Sequence, residues 1–222
     1  MNFHVITLFP EVVDAYCNAS ILGRAQREKK ISVEAYQLRD YVQNKWGKAD
    51  ERPYGGGPGM VLQAEPILHA VEAIQKKFRT RRVVNGSKIV ITSAAGKPLT
   101  NAYAKNLAKK YKDVIIVCGR YEGIDTRVKR ILKAEEVSVG PYILTGGEIP
   151  ALAIIDATAR QIPGVLGKFE SLEEGRVASS DVYTRPEVLT HKGKKYSVPK
   201  VLLSGHHKKI DEQRSKKRSS PK

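Results

Sequence analysis

Two glycine-bearing segments contain the residue types that could hold a ligand. The first, residues 119–123, reads GRYEG, and the second, residues 140–147, reads GPYILTGG. Glycine permits backbone shapes that are closed to other residues, and it leaves main-chain N–H and C=O groups within reach of a ligand. Each segment taken alone could equally be an ordinary turn. Their position after similar apolar runs predicts a ligand site.

The apolar runs before these segments are typical of buried strands. Residues 114–118 read VIIVC, without the alternation of a strand that faces water on one side, which predicts a parallel strand covered on both faces. Residues 137–139, VSV, lead into Gly140 in the same way. Open α/β sheets bind ligands at the carboxyl ends of their strands. We therefore expect the two loops to lie side by side at the ends of neighbouring strands.

The surrounding sequence predicts an α/β fold that would position these loops. Residues 3–8 and 31–36 have the patterns of strands, and a helix follows the first of them. From residue 88 onward strands and helices alternate, beginning with a buried strand over 88–92 and a helix capped by Thr100. Such alternation is typical of a mostly parallel sheet.

A glycine-rich segment, residues 53–60 (PYGGGPGM), has no regular periodicity. It lacks the Lys and Ser/Thr of a phosphate-binding P-loop, so a nucleoside triphosphate site is not supported. A flexible linker is one interpretation. So many glycines beside prolines favour close backbone packing against a ligand or a second subunit.

The helix predicted over residues 149–162 is almost entirely apolar, apart from Asp156 and Arg160. These two lie four residues apart on one helix face, where they could form a weak ion pair. A helix that is apolar on several faces is more than one sheet can cover, so a subunit interface is predicted. Residues 168–180 are polar and lack periodicity, which indicates a linker.

Charge is the most informative bulk property of the chain. Its 39 Lys and Arg against 23 Asp and Glu give a net charge of +16, which predicts a polyanionic partner bound with strong salt dependence. A merely solvated basic surface is the alternative. Cys17 and Cys118 are far apart in apolar surroundings, as in a reduced compartment. We expect a cytoplasmic protein without a membrane span, a signal peptide or a metal cluster.

Three motifs in order carry a family resemblance: GRYEGIDTRV, then VSVGPYILTGGEIPALAIIDATARQIPGVLG, then YTRPEVL. The sequence from residue 3 to residue 207 resembles the bacterial tRNA (guanine-N(1)-)-methyltransferases of the TrmD family, which belong to the SPOUT class. The resemblance implies S-adenosylmethionine-dependent methylation of guanine N(1) at tRNA position 37, next to the anticodon, in support of reading-frame maintenance. It also implies a homodimer with a shared active site, and it leaves open a divalent ion such as Mg²⁺.

The resemblance further implies a trefoil-knotted, mostly parallel α/β sheet, which residue physics alone would not predict. A small, mainly helical C-terminal domain is expected to follow. The boundaries predicted are a donor-binding SPOUT domain over residues 1–167, a linker over 168–180, and a small basic tRNA-binding domain and tail over 181–222.

Site residues are carried over from the family motifs position by position. In the family, main-chain groups of the knot loops hold the methyl donor; the matching residues here are Gly119, Val139, Gly140, Pro141, Tyr142, Ile143, Leu144, Gly146 and Gly147. The family's catalytic Arg matches Arg160. Its catalytic Asp falls on Gly175 in this chain, so Glu174 and Asp181 are left as equal candidates for the general base.

Two other functions fit parts of the pattern. A non-catalytic RNA-binding protein could keep the scaffold without binding a methyl donor. A related enzyme could use the same donor on ribosomal RNA or on a ribose hydroxyl. A Rossmann methyltransferase is disfavoured, because no Gly-x-Gly-x-x-Gly follows the first strand.

Overall fold

The structure, a computed structural model, describes residues 1–79, 87–166, 182–206 and 208–210. The chain forms two compact units, Met1–Leu166 and Gly167–Lys222. The predicted linker, residues 168–180, lies outside the described residues, so the predicted domain boundaries stay a prediction. None of the described helices is long and apolar enough to cross a membrane.

The first unit alternates strands and helices. Its elements in chain order are β1 (Asn2–Thr7), α1 (Pro10–Cys17), α2 (Ser20–Arg27), β2 (Ser32–Gln37), a 3-10 helix (Leu38–Tyr41), β3 (Asp50–Glu51), β4 (Val61–Leu62), α3 (Ala64–Arg79), β5 (Lys88–Pro98), α4 (Asn101–Lys110), β6 (Asp113–Val117), α5 (Thr126–Leu132), β7 (Glu135–Ser138) and α6 (Glu148–Ala159). The second unit contains β8 (Val188–His191), β9 (Lys194–Ser197) and α7 (Lys200–Leu203).

Five parallel strands of the described chain form one sheet in the order β2-β1-β6-β5-β7. This confirms the predicted α/β class with a mostly parallel sheet. One expectation is wrong: β6 and β7 are not neighbours, because Val90 of β5 pairs with Ile116 of β6 on one side and with Glu135 of β7 on the other. The two glycine-bearing loops therefore leave strands separated by a third.

The core lies on both faces of the sheet, and β6 shows why. Val114 and Ile116 pack into the cluster on one face, whereas Ile115 and Val117 pack into the cluster on the other. All four are fully buried. Because successive side chains of a strand point to opposite faces, an apolar run without alternation fits only a strand covered on both sides.

β5 is longer and less regular than the sequence predicts. The expected strand ends at residue 92, but β5 continues to Pro98, with a shift in its pairing to β7 between Thr92 and Lys97. A Cβ added at Gly96 would lie 2.5 Å from the backbone nitrogen of Val137, so the two strands approach closely there. The residues between the two paired stretches border the cavity described below.

The apolar helix α6 begins at Glu148 and ends at Ala159, with Arg160 at its C-cap. Asp156 accepts a hydrogen bond from the Tyr16 hydroxyl at 2.8 Å. No ion pair joins Asp156 to Arg160 within the described part of the chain, so the weak pair considered from their spacing does not form there. The Arg160 Nε is buried and has no hydrogen-bond partner among the residues that the structure describes.

The second unit contains an antiparallel hairpin, β8–β9, that the sequence analysis did not predict. Its turn residues, Lys192 and Gly193, have φ angles of 45° and 75°. Turns with two positive φ angles match the twist of hairpin strands. The described part of this unit also includes α7, Lys200–Leu203. Because other residues of the unit lie outside the described ranges, the expectation of a mainly helical domain stays a prediction.

Both cysteines are free and buried. Burial raises the pKa of the Cys17 thiol to about 12, and burial raises the pKa of Cys118 as well. A raised thiol pKa leaves almost no reactive thiolate near neutral pH. We expect neither residue to react with iodoacetamide in the native protein at pH 8 over an hour, and both to react in denaturant, as counted by mass spectrometry. Rapid labelling of the native protein would contradict this expectation.

Candidate functional site

A cavity of about 620 Å³ opens at the carboxyl ends of β5, β6 and β7. Both glycine-bearing loops line it. Of the residues predicted to bind a methyl donor, those that line the cavity are Gly119, Val139, Gly140, Tyr142, Ile143, Leu144, Gly146 and Gly147. Pro141 alone of the predicted set is outside the lining. The structure thus brings the two loops to one cavity even though β5 separates their strands.

Hydrogen bonds through Thr92 connect β5, the end of β6 and the two glycine-bearing loops. The Gly147 N–H donates to the Gly119 carbonyl at 2.8 Å, and the Gly119 N–H donates to Thr92 Oγ1 at 3.1 Å. Thr92 Oγ1 in turn donates to the Val117 carbonyl at 3.3 Å. A Cβ at Gly147 would lie 2.1 Å from Thr92 Oγ1 and 2.6 Å from the Gly119 nitrogen. Only glycine fits at this position.

The second loop is shaped by bonds to its own backbone. Ser138 Oγ donates to the Gly140 carbonyl at 2.9 Å and accepts from the Gly140 N–H at 3.3 Å. The Tyr142 hydroxyl donates to the Val139 carbonyl at 3.2 Å, which places its ring beside Gly140. Tyr142 is 54% exposed, and Ile143 is also exposed. An apolar ring and an apolar side chain are therefore open to a ligand at the cavity wall.

The sequence analysis missed the wall that β5 provides. Thr92 and residues 93–95 line the cavity because β5 lies between β6 and β7. No periodicity or motif in that stretch indicates the strand order. The nearest signal is Gly96, which allows β5 and β7 to approach closely after the bulge.

The glycine-rich segment 53–60 is connected to the first loop through its carboxyl end. The Glu122 N–H donates to the Met60 carbonyl, and the Leu62 N–H donates to the Gly123 carbonyl, each at 3.0 Å. A Cβ at Gly59 would lie 2.5 Å from the Glu122 carboxylate. Gly59 thus lies close to the first loop, and the packing of this segment against a ligand or a second subunit stays a prediction.

Carboxylates at the cavity differ in how they are bound. Asp125 caps α5 and pairs with Arg127 at 2.6 Å, and these hydrogen bonds lower the pKa of Asp125. Glu136 pairs with Lys129. The Glu122 side chain makes no hydrogen bond to any described residue, although its backbone is fixed. Among the carboxylates of the lining named here, Glu122 alone keeps its oxygens available to a ligand.

The structure does not place Arg160, the one described member of the predicted catalytic set, at this cavity. Arg160 is not part of the lining, and it lies at the end of α6 with its Nε unbonded. Glu174 and Asp181 lie outside the described residues. The catalytic assignment stays a prediction.

Comparison with known proteins identifies the family. The sequence profile described as tRNA (Guanine-1)-methyltransferase TrmD matches residues 1–221. This chain belongs to the TrmD family. A protein named tRNA (guanine-N(1)-)-methyltransferase from Clostridioides difficile (strain 630) is 43% identical over 218 residues, which are 96% of this chain and 90% of that protein. One of the same name from Carboxydothermus hydrogenoformans (strain ATCC BAA-161 / DSM 6008 / Z-2901) is 44% identical over 220 residues, 97% of this chain and 82% of that protein.

The fold agrees with that membership. The crystal structure of tRNA (m1G37) methyltransferase from Aquifex aeolicus matches this TrmD-family chain with a TM-score of 0.79 and 38% identity, over 98% of this chain and 89% of that one. The SPOUT-type α/β fold implied by the resemblance is confirmed. The trefoil knot stays a prediction.

Proposed function

We propose that this TrmD-family protein methylates guanine N(1) at position 37 of tRNA, with S-adenosylmethionine as methyl donor. One observation carries the proposal beyond family membership: the residues predicted for donor binding from two separate motifs, except Pro141, line a single cavity. That cavity lies at the carboxyl ends of parallel strands, where α/β sheets bind their ligands. Its volume of about 620 Å³ is within the usual range for small-molecule sites.

The residues of the cavity fit such a donor. Backbone groups of the two loops can bind polar atoms, and the exposed Tyr142 and Ile143 can cover an aromatic ring. Gly140 and Gly147 allow the loops to pack this closely, since a Cβ on either would lie within 2.2 Å of a neighbouring atom. The bound donor would supply the methyl group.

The chain's own residues would manage the proton of the base. Guanine N(1) carries a proton and must lose it as it attacks the methyl carbon, so a carboxylate within hydrogen-bond reach is the natural acceptor. Glu174 and Asp181 are the proposed acceptors. Arg160 would stabilise charge that develops on the guanine oxygen, as the family resemblance implies.

The proposed RNA partner agrees with the charge of the protein. The net charge of +16 would favour binding to phosphates through counterion release. In the second unit, the hairpin tip presents Lys192, Lys194 and Lys195 as exposed cations on a defined turn. A cytoplasmic location, where tRNA is present and the two free thiols stay reduced, is part of the same proposal.

We also propose a homodimer, and we expect it to resist dilution to micromolar concentration. Ile149 on α6 is 60% exposed, and Val12, Tyr16 and Ile21 of α1 and α2 are exposed as well. Apolar side chains on adjoining helices are typical of an obligate interface. Sedimentation velocity should show a dimer for the wild type and a monomer for Ile149→Glu. A monomeric wild type that methylates tRNA would contradict the proposal.

The function is tested by incubating the protein with labelled S-adenosylmethionine and an unmodified tRNA transcript that has guanosine at position 37. Nucleoside analysis should find 1-methylguanosine, and a transcript with adenosine at position 37 should stay unlabelled. Parallel reactions with Mg²⁺ and with EDTA test the divalent ion. Donor binding without transfer to any RNA would favour a lost activity, whereas label in ribosomal RNA or on a ribose would favour the related enzymes.

A further inference from the structure

Glu148 is a buried carboxylate at the start of α6. It is only 3% exposed, and three groups hold it. The Thr7 hydroxyl donates to Oε1 at 2.6 Å, and the Arg120 Nε donates to the same oxygen at 3.3 Å. The Arg120 Nη2 forms an ion pair with Oε2 at 2.9 Å. Thr7 ends β1, and Arg120 belongs to the first glycine-bearing loop. The carboxylate therefore connects the end of β1 to the loop that follows β6.

Arg120 extends this connection to the second loop. Its Nη1 donates to the Thr145 carbonyl at 3.3 Å, and its guanidinium lies 4.3 Å from the centroid of the Phe9 ring. Arg120 lines the cavity beside Gly119 and Gly146. With its nitrogens directed at Glu148 and Thr145, the guanidinium cannot turn without releasing one of the two loops.

Stability alone is a weak reason for such a pair. Removing two charges from water costs about as much as their attraction returns, so a buried ion pair is often no more stabilising than apolar residues of the same volume. This pair lies where two loops and a strand end meet around the cavity. A role in holding the geometry of the binding site fixed accounts for the position of this ion pair.

We propose that Glu148 is a positioning residue, which holds Arg120 and through it both loops in the shape that binds the methyl donor. The inference rests on the proposed function, since it takes S-adenosylmethionine as the ligand of the cavity. Glu148 need not contact the donor, because Arg120 and Thr145 line the cavity whereas Glu148 does not. Its effect is therefore on donor affinity, not on the transfer step.

Glu148→Gln tests this role while keeping the side-chain volume. Glutamine can still bond to Thr7, but it replaces charge-assisted hydrogen bonds to Arg120 with weaker ones and offers only one acceptor oxygen. We expect calorimetry to show donor affinity weakened about 10- to 100-fold, the range for the loss of hydrogen bonds to a charged group. Single-turnover methylation at saturating donor should stay within about threefold of wild type.

Asp113→Asn is the matched control. Asp113 is also a buried carboxylate, 2% exposed, and it accepts a hydrogen bond from Asn2 at 2.7 Å. It begins β6 and so lies at the opposite end of that strand from the first loop. We expect this variant to lose thermal stability without any change in donor affinity. Equal donor affinities for Glu148→Gln and wild type would overturn the proposal.

A double-mutant cycle separates positioning from a general loss of structure. Because Glu148 acts through Arg120, Glu148→Gln should weaken donor binding much less in an Arg120→Gln background than in wild type. Additive effects would overturn the proposal. If Glu148→Gln does not fold, Thr7→Val gives a milder version of the same comparison; it removes the hydroxyl that donates to Glu148 and accepts from the Phe9 N–H at 3.0 Å.

The two levels of inference fail differently. Wild-type protein that binds no S-adenosylmethionine would overturn the proposed function and this inference with it. Wild-type protein that binds the donor and transfers its methyl group, beside a Glu148→Gln variant of unchanged affinity, would overturn the positioning role alone.

Discussion

The substitution Gly147→Ala is expected to abolish donor binding and, with it, methyl transfer. Its Cβ would lie 2.1 Å from Thr92 Oγ1, 2.6 Å from the Gly119 nitrogen and 2.8 Å from the Cys118 Cα. Two of these three atoms belong to the backbone of a buried strand end and its loop, so rotation of a side chain cannot relieve the overlap. The two loops must separate. A displacement of about 1 Å at an active site can lower the reaction rate about 10²-fold. We expect at least an equal loss, about 10²-fold, in donor affinity measured by calorimetry.

Two glycine controls make this result specific. At Gly140 a Cβ would lie 2.2 Å from the Tyr142 ring, which is exposed and can turn away, so Gly140→Ala should weaken binding less than Gly147→Ala. Gly140→Val adds branches at the cavity wall and should still abolish binding. At Gly193 of the hairpin nothing lies within 4 Å, and alanine there should leave donor affinity unchanged. Equal losses at Gly193 and Gly147 would indicate general destabilisation.

Local patterns were enough to predict the strands and loops that form the site. The unalternating run before Gly119 predicted a strand covered on both faces, and β6 is one. The glycines after β6 and β7 predicted loops that line one cavity, and they do. These predictions succeed because burial and backbone freedom are properties of the residues themselves.

Contacts between distant segments were beyond such reasoning. Strand order is decided by which apolar faces pack together, so nothing in the local sequence placed β5 between β6 and β7. The Tyr16 hydroxyl donates a hydrogen bond to Asp156, which is 140 positions away in the chain. Spacing along α6 could not indicate this contact. The contact of Arg120 with Glu148 depends on the same long-range packing.

Neutralising the predicted general base is expected to lower the rate of single-turnover methylation about 10²–10⁴-fold. Asp181→Asn and Glu174→Gln are the two variants to compare, since the family's Asp falls on Gly175 in this chain. Both replacements keep the side-chain volume and remove only the ability to accept the N(1) proton as a carboxylate. The reactions use saturating donor and tRNA, and donor affinity should not change in either variant.

The dependence on pH distinguishes the base from a residue that only binds tRNA. With a carboxylate base the wild-type rate should fall as pH is lowered through the pKa of that base, and the variant that lacks it should lose this dependence. Arg160→Ala should lower the rate as well but keep the pH profile, because the carboxylate base is still present in that variant. If both carboxylate variants keep full rate while Arg160→Ala does not, neither Glu174 nor Asp181 is the base. Glu122, whose carboxylate faces the cavity without a hydrogen bond to any described residue, would then be the next residue to neutralise.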